Sequence, residues 1–134
     1  MKLYLLDTNA VIDLLRDGKG PVARHLAETG ISACAICDIT LYELYYGAYC
    51  SSHAEQNLSG VERLKTMLTI IPTSESYIEA AAQKARLRQE GQLIEDFDIL
   101  IGCTAKVSDR TLVSDNEKHL GRLDGVQIEN WLKS

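Results

Sequence analysis

No apolar run in this 134-residue sequence approaches the roughly 20 residues that cross a bilayer. The first strand-like stretch meets a charged Asp7 before it could supply the apolar core of a signal peptide, so the default expectation is a cytoplasmic location with no membrane partner. A basic excess is missing too. The 19 Asp and Glu outnumber 14 Lys and Arg for a net charge of −5, which argues against a protein that coats nucleic acid with a basic face. A nuclease is not excluded, because a site built from carboxylates adds negative charge that a bound cation reverses locally. Cys34 and Cys37 have C-x-x-C spacing, but no second C-x-x-C or C-x-x-H pair completes four ligands, and residues three apart in a strand face opposite ways. Buried, reduced thiols are therefore expected. His25, His53 and His119 read as surface or loop residues. Repeats and disorder-prone stretches are lacking, and 46% hydrophobic with 25% charged residues fits one globular domain over 1–134.

What the chain does hold is acids at particular places. The stretch YLLDTNAVIDLL, residues 4–15, puts Asp7 where an apolar run stops and an amphipathic pattern begins. A carboxylate buried without a partner is strongly unfavourable, so Asp7 is exposed, caps a helix, or binds something. The plainest of these is that Asp7 or Thr8 caps the helix that follows.

Residues 2–6 read as a short strand and 9–17 as a helix with Val11, Ile12, Leu14 and Leu15 on its stripe. Pro21 opens a second helix, closed by Gly30. ISACAI (31–36) reads as the second strand. Residues 40–50 form a helix with Leu41, Leu44, Tyr45 and Ala48 on one face, and SSHAEQ (51–56) is a polar break. A helix through LSGVERLKTML then leads to a third strand, TIIP, stopped by Pro72. Residues 74–91 read as a helix opened by an imperfect capping box of Ser74 and Glu79. A buried helix over 96–108, a fourth strand over 111–114 and an edge strand over 126–131 complete the chain. Strands separated by helices imply an α/β fold, a central mainly parallel sheet of four to five strands with helices on both faces. In such sheets ligands bind beyond the carboxyl ends of the strands.

Asp7 lies at that end of the first strand, and other acids arrive at the same edge. Glu43 is early in the helix after strand two, Asp98 is in the first turn of DFDILIGCTA, and Asp115 and Asn116 follow strand four. Each alone is an ordinary favourable charge at a helix start. Together they suggest a shared site.

The blocks YLLDTNAVIDLL, ITLYELYYGA, DFDILIGCTA and TLVSDNEKHL resemble the four signature blocks of PIN-domain ribonucleases, most closely the VapC-type toxins of toxin–antitoxin modules. The resemblance runs nearly the whole chain. It implies that Asp7, Asp98 and Glu43 are metal-binding acids and that Asn116 holds the fourth catalytic position, where many relatives have Asp. Asp115 beside it is expected in a supporting role, or turned inward to substitute for the missing acid. Asn9 and Ser114 resemble supporting residues that hydrogen-bond the acids. An RNA substrate, a cognate antitoxin and a homodimer are implied as well. The antitoxin tail would place an Arg or Lys among Asp7, Glu43 and Asp98.

The chemistry agrees on independent grounds. Two carboxylates about 4 Å apart repel by about 4 kcal/mol at an effective dielectric near 20, so clustered acids call for protons or a cation. All-oxygen donors favour Mg²⁺, with Mn²⁺ as substitute, over Zn²⁺. Such a site activates water for in-line attack on a phosphodiester, leaving a 3′-hydroxyl and a 5′-phosphate. Two alternatives stay open. A haloacid-dehalogenase-like phosphatase would use an Asp after strand one as nucleophile, although the second acid it needs is Asn9 here. A non-catalytic PIN-like interaction module would keep the fold alone. Arg16, Lys19, Lys106, Arg110, Lys118 and Arg122 are candidates for an RNA-binding rim, against the plain alternative of solvated helix faces.

Overall fold

The computed structural model describes residues 1–133. Its elements run β1 (Tyr4–Leu6), α1 (Thr8–Arg16), α2 (Pro21–Thr29), β2 (Cys34–Cys37), α3 (Asp38–Cys50), α4 (Ala54–Met67), β3 (Thr69–Ile71), α5 (Tyr77–Gln89), α6 (Asp96–Val107), β4 (Thr111–Val113), α7 (Glu117–Leu120) and β5 (Ile128–Glu129). The five strands form one sheet in the order β3-β2-β1-β4-β5, every pair parallel.

Strand residues alternate between two cores, as a two-sided sheet requires. Leu5, Ala35, Cys37 and Leu112 face α5 and α6, while Leu6, Cys34, Ile36 and Val113 face α1 to α4. Cys34 and Cys37 thus lie on opposite faces, buried and unpaired, and burial raises both thiols above the usual cysteine range, Cys34 to about 11. The chain steps outward from β1 to β3, then returns to the other side of β1 for β4. That reversal opens a crevice at the carboxyl ends of β1 and β4, the place where a doubly wound sheet receives its ligand.

Several expected boundaries move. Residues Ile31–Ala33 form a 3₁₀ turn, so β2 begins only at Cys34. Helix α4 starts at Ala54, inside the expected polar break. Ser74 caps nothing: residues Thr73–Ser76 make a 3₁₀ turn before α5, because Asp38 Oδ1 accepts the Thr73 N–H across 35 residues of sequence. The expected edge strand shortens to Ile128–Glu129, and Trp131 opens a further 3₁₀ turn whose ring is buried against α2. Helix α7 escaped the periodicity because a single turn carries too few residues to show one.

Candidate active site

Asp7 occupies the crevice. Its backbone N–H donates to Val113 O at 3.0 Å, extending the β1–β4 ladder by one rung, and its Oδ1 accepts the Ala10 N–H at 2.9 Å. The capping reading is therefore realised, and the same carboxylate lies in the crevice where the site reading needs it. Only 8% exposed, Asp7 has its carboxyl pushed by burial to about 6, against the Ser114 hydroxyl and the Ala10 N–H, which favour the ionised form; the charges of Asp115 and Asp98 add to the rise.

Glu43 and Asp98 arrive from opposite faces of the sheet, on α3 and in the first turn of α6. Thr8, the first residue of α1, donates its hydroxyl to Glu43 Oε1 at 2.6 Å and lies 3.2 Å from the buried Thr40 hydroxyl. Asp98 is raised above the usual carboxylate range, first by burial and then by the charges of Glu43 and Glu95, with His119 pulling the other way. Asp7, Thr8, Asn9, Glu43, Asp98 and Asn116 line one cavity of about 440 Å³ together with the rings of Tyr42, Tyr46 and Phe97. Tyr42 and Phe97 meet edge to face at 5.9 Å, tying α3 to α6 above the acids.

The remaining expected residues divide. Ser114, fully buried, hydrogen-bonds Asp7 and accepts the Asn116 N–H at 3.0 Å. Asn9 makes no hydrogen bond to the acids among the described residues; exposed at the start of α1, it lines the cavity while Thr8 does the bracing. Asp115 is exposed and acts on Asp7 only through its charge. Lys106 and Arg110 are misplaced in the rim. They sit at the amino ends of β1 and β4, where Lys106 pairs with Glu79 at 3.0 Å and Arg110 donates to Tyr4 O at 3.1 Å. Arg122 points to the carbonyls of Gln92 and Leu93, and Lys19 follows the far end of α1. Arg16, the last residue of α1, lines a second groove that includes Glu43, and Lys118 follows Asn116 on α7; neither lines the acidic cavity itself. Two residues expected in other roles lie beside the acids: Thr8, weighed only as a helix cap, and His119, expected as a surface residue and indeed exposed. His119 Nδ1 lies 3.1 Å from Asn116 Oδ1.

Among the described residues no three His, Cys, Asp or Glu side chains form a ready-made coordination cluster. The donor set nevertheless fits a hard cation. Asp7, Glu43 and Asp98 offer only oxygen, no Lys or Arg pairs with them among the described residues, and two have their ionised forms disfavoured. Positive charge arriving between them would relieve that strain.

The model of the PIN domain matches residues 4–126. Ribonuclease VapC2 of Haemophilus influenzae is 32% identical over 133 residues, 98% of this chain and 100% of that protein. The tRNA(fMet)-specific endonuclease VapC of Salmonella typhimurium is 30% identical, covering 98% of this chain and 99% of that one. Among solved structures, the DNA-bound VapBC of Salmonella typhimurium superposes with a TM-score of 0.89 at 28% identity over 98% of this chain and 99% of that one. VapBC2 of Rickettsia felis bound to a promoter DNA fragment gives 0.85 at 29% identity over 96% and 98%. The phosphatase alternative, already short of its second acid at Asn9, falls with these matches: the chain belongs to the PIN-domain family, among the VapC ribonucleases.

Proposed function

We propose that the chain, a single PIN domain over 1–134, is a divalent-metal-dependent endoribonuclease acting in the cytoplasm as the toxin of a toxin–antitoxin pair. The observation that carries this reading is the convergence of Asp7, Glu43, Asp98 and Asn116 on one cavity at the β1–β4 crevice. Asp7, Asp98 and Glu43 would hold Mg²⁺, or Mn²⁺ in its place. When bound there, such a cation supplies charge neutralisation and Lewis-acid polarisation of the scissile phosphate. The chain's own residues do the rest. Thr8 and Ser114 hydrogen-bond the carboxylates and hold their orientation, and Arg16 and Lys118 would meet phosphates beyond the cavity.

The groove between α1, α3 and α4, about 460 Å³, is the seat we assign to the antitoxin. Ile12 and Glu43 line both it and the acidic cavity, so an occupant runs directly into the acids. The stripe of Tyr42, Tyr46 and Tyr49 on α3, 61%, 66% and 71% exposed, is the face we assign to a second copy of the chain. Titrating Mg²⁺ or Mn²⁺ into a cleavage assay on single-stranded RNA tests the core of the proposal. Activity should vanish with EDTA and fall by several orders of magnitude in Asp98→Asn, with the melting curve still cooperative. Cleavage indifferent to EDTA would falsify the metal-dependent reading.

A further inference from the structure

Asn116 holds the fourth catalytic position, yet its side chain does not do what an asparagine at a helix start usually does. It is the residue before α7, where Asn ordinarily accepts a backbone N–H of the helix it opens. That bond is not made. The side chain instead spans two others: Nδ2 donates to Asp98 Oδ2 at 3.4 Å, and Oδ1 meets His119 Nδ1 at 3.1 Å.

The carboxylate sets the direction of the whole chain of contacts. An ionised Asp98 can only accept, so the end of the amide facing it is the NH₂ group. Reversing the amide would press oxygen against oxygen. Oδ1 is therefore turned to His119, and since an amide oxygen also only accepts, His119 Nδ1 is the protonated ring nitrogen. The residue is anchored at its backbone as well, through the Asn116 N–H to Ser114 Oγ. Helix α7 in turn is pinned by the buried Leu120.

We propose that His119 is a positioning residue that locks the Asn116 amide with its NH₂ toward Asp98, making the fourth position a hydrogen-bond donor to the site and not a cation ligand. The inference rests on the metal-dependent nuclease reading. Oδ1, the atom of the Asn116 amide suited to coordinate a hard cation, is engaged by the imidazole. Asp98 keeps Oδ1 clear of hydrogen bonds among the described residues, and a cation held by Asp7, Glu43 and Asp98 would meet an oriented carboxylate. A donor held against a ligating carboxylate is the kind of support whose loss typically lowers metal affinity or activity by about 10- to 100-fold.

Three variants of the exposed His119 separate this role from others, read by calorimetric Mn²⁺ affinity and by RNA cleavage. His119→Ala should weaken Mn²⁺ binding about tenfold and lower kcat, with KM nearly unchanged. His119→Asn places an N–H the same number of bonds from Cβ as Nδ1 and should restore both readouts. His119→Gln places its N–H where Nε2 stands and should not. In an Asn116→Ala background, His119→Ala should cost much less than it does in the wild type, leaving only the direct effect of the imidazole's charge on Asp98. Wild-type Mn²⁺ affinity in His119→Ala, rescue by Gln in place of Asn, or additive losses with Asn116→Ala would each overturn the inference. Asp98→Asn run alongside distinguishes the two levels: if it keeps both Mn²⁺ binding and cleavage, the metal-site reading fails, whereas if it loses both while His119→Ala loses neither, only the role of His119 fails.

Discussion

Asp7 shows how one carboxylate can be held in place and destabilised at once. Its backbone completes a strand ladder and its Oδ1 caps α1, but burial raises the carboxyl from 3.8 to about 6. A carboxyl raised in the folded state favours folding below its unfolded value and loses that advantage as pH climbs through the folded one. At 1.36 kcal/mol per unit, ionising Asp7 costs the metal-free protein about 3 kcal/mol by pH 7. Asp7→Asn should therefore melt higher than wild type at pH 7.5 without divalent ions, and the gap should close by about pH 4. No gap at pH 7.5 would mean that Asp7 is better solvated than its burial implies. Protons and cations also compete for this oxygen, so wild-type Mn²⁺ affinity should rise from pH 5 to about 6.5 and then level. A hundredfold excess of ion over its Kd stabilises the native state by about 2.7 kcal/mol, which thermal melts would register. Asp7 stood out in the sequence because a charge ending an apolar run is anomalous on its own terms, whereas Glu43 and Asp98, ordinary singly, stood out only through the sheet edge they share with it. Thr8 and His119 did not, since each matters through a partner that only the fold brings near: Thr8 through Glu43, 35 residues on, and His119 through Asn116 and then Asp98, 18 residues back.

At the scale of elements, the helices with a repeating apolar face and the strands β3 and β4 were readable, and the single-turn pieces between them were not. Helices α1, α3 and α6 fall within a residue or two of where their apolar stripes and first-turn acids put them, because their buried faces repeat often enough to establish a period. The start of α5 was misread because Ser74 has the right chemistry to cap, while Asp38, distant in sequence, takes over the turn before it. The C-terminal segment was misread for a related reason. Trp131 resembles strand sequence, yet its ring stacks on His25 at 5.1 Å, tilts against Tyr4 at 5.0 Å, and donates Nε1–H to Glu129 Oε1 at 3.0 Å. It closes the core on the α1–α4 face. Trp131→Ala should destabilise by about 3–5 kcal/mol in urea unfolding, the range for emptying a large aromatic site. Trp131→Phe should lose distinctly less. A loss below about 1 kcal/mol for the alanine variant would show that the segment is a cover and not part of the core.

Across the whole molecule, an acidic chain that acts on RNA also needs a means of being held inactive, and the groove beside the active site offers one. Leu15 and Ile12, 41% and 40% exposed on α1, present apolar surface to solvent along a channel that ends at Glu43. A disordered amphipathic segment folding into that channel would bury those side chains and carry a cation into the acidic cavity. Leu15 discriminates, because it lines the groove but not the acidic cavity. Leu15→Glu should leave metal-dependent cleavage and the melting temperature near wild type. Burying a leucine is worth about 1.5–3 kcal/mol, so the variant should lose tenfold or more in affinity for the cognate antitoxin, which the toxin–antitoxin reading expects to be encoded beside it. Co-expression of the pair, followed by mass measurement and a cleavage assay, reads both effects: wild type should purify as an inactive complex, and Leu15→Glu as active, partner-depleted protein. A variant that stays fully bound and fully inhibited would move the partner to another face, while cleavage that is equal with and without the neighbour would remove the toxin assignment and leave the nuclease standing.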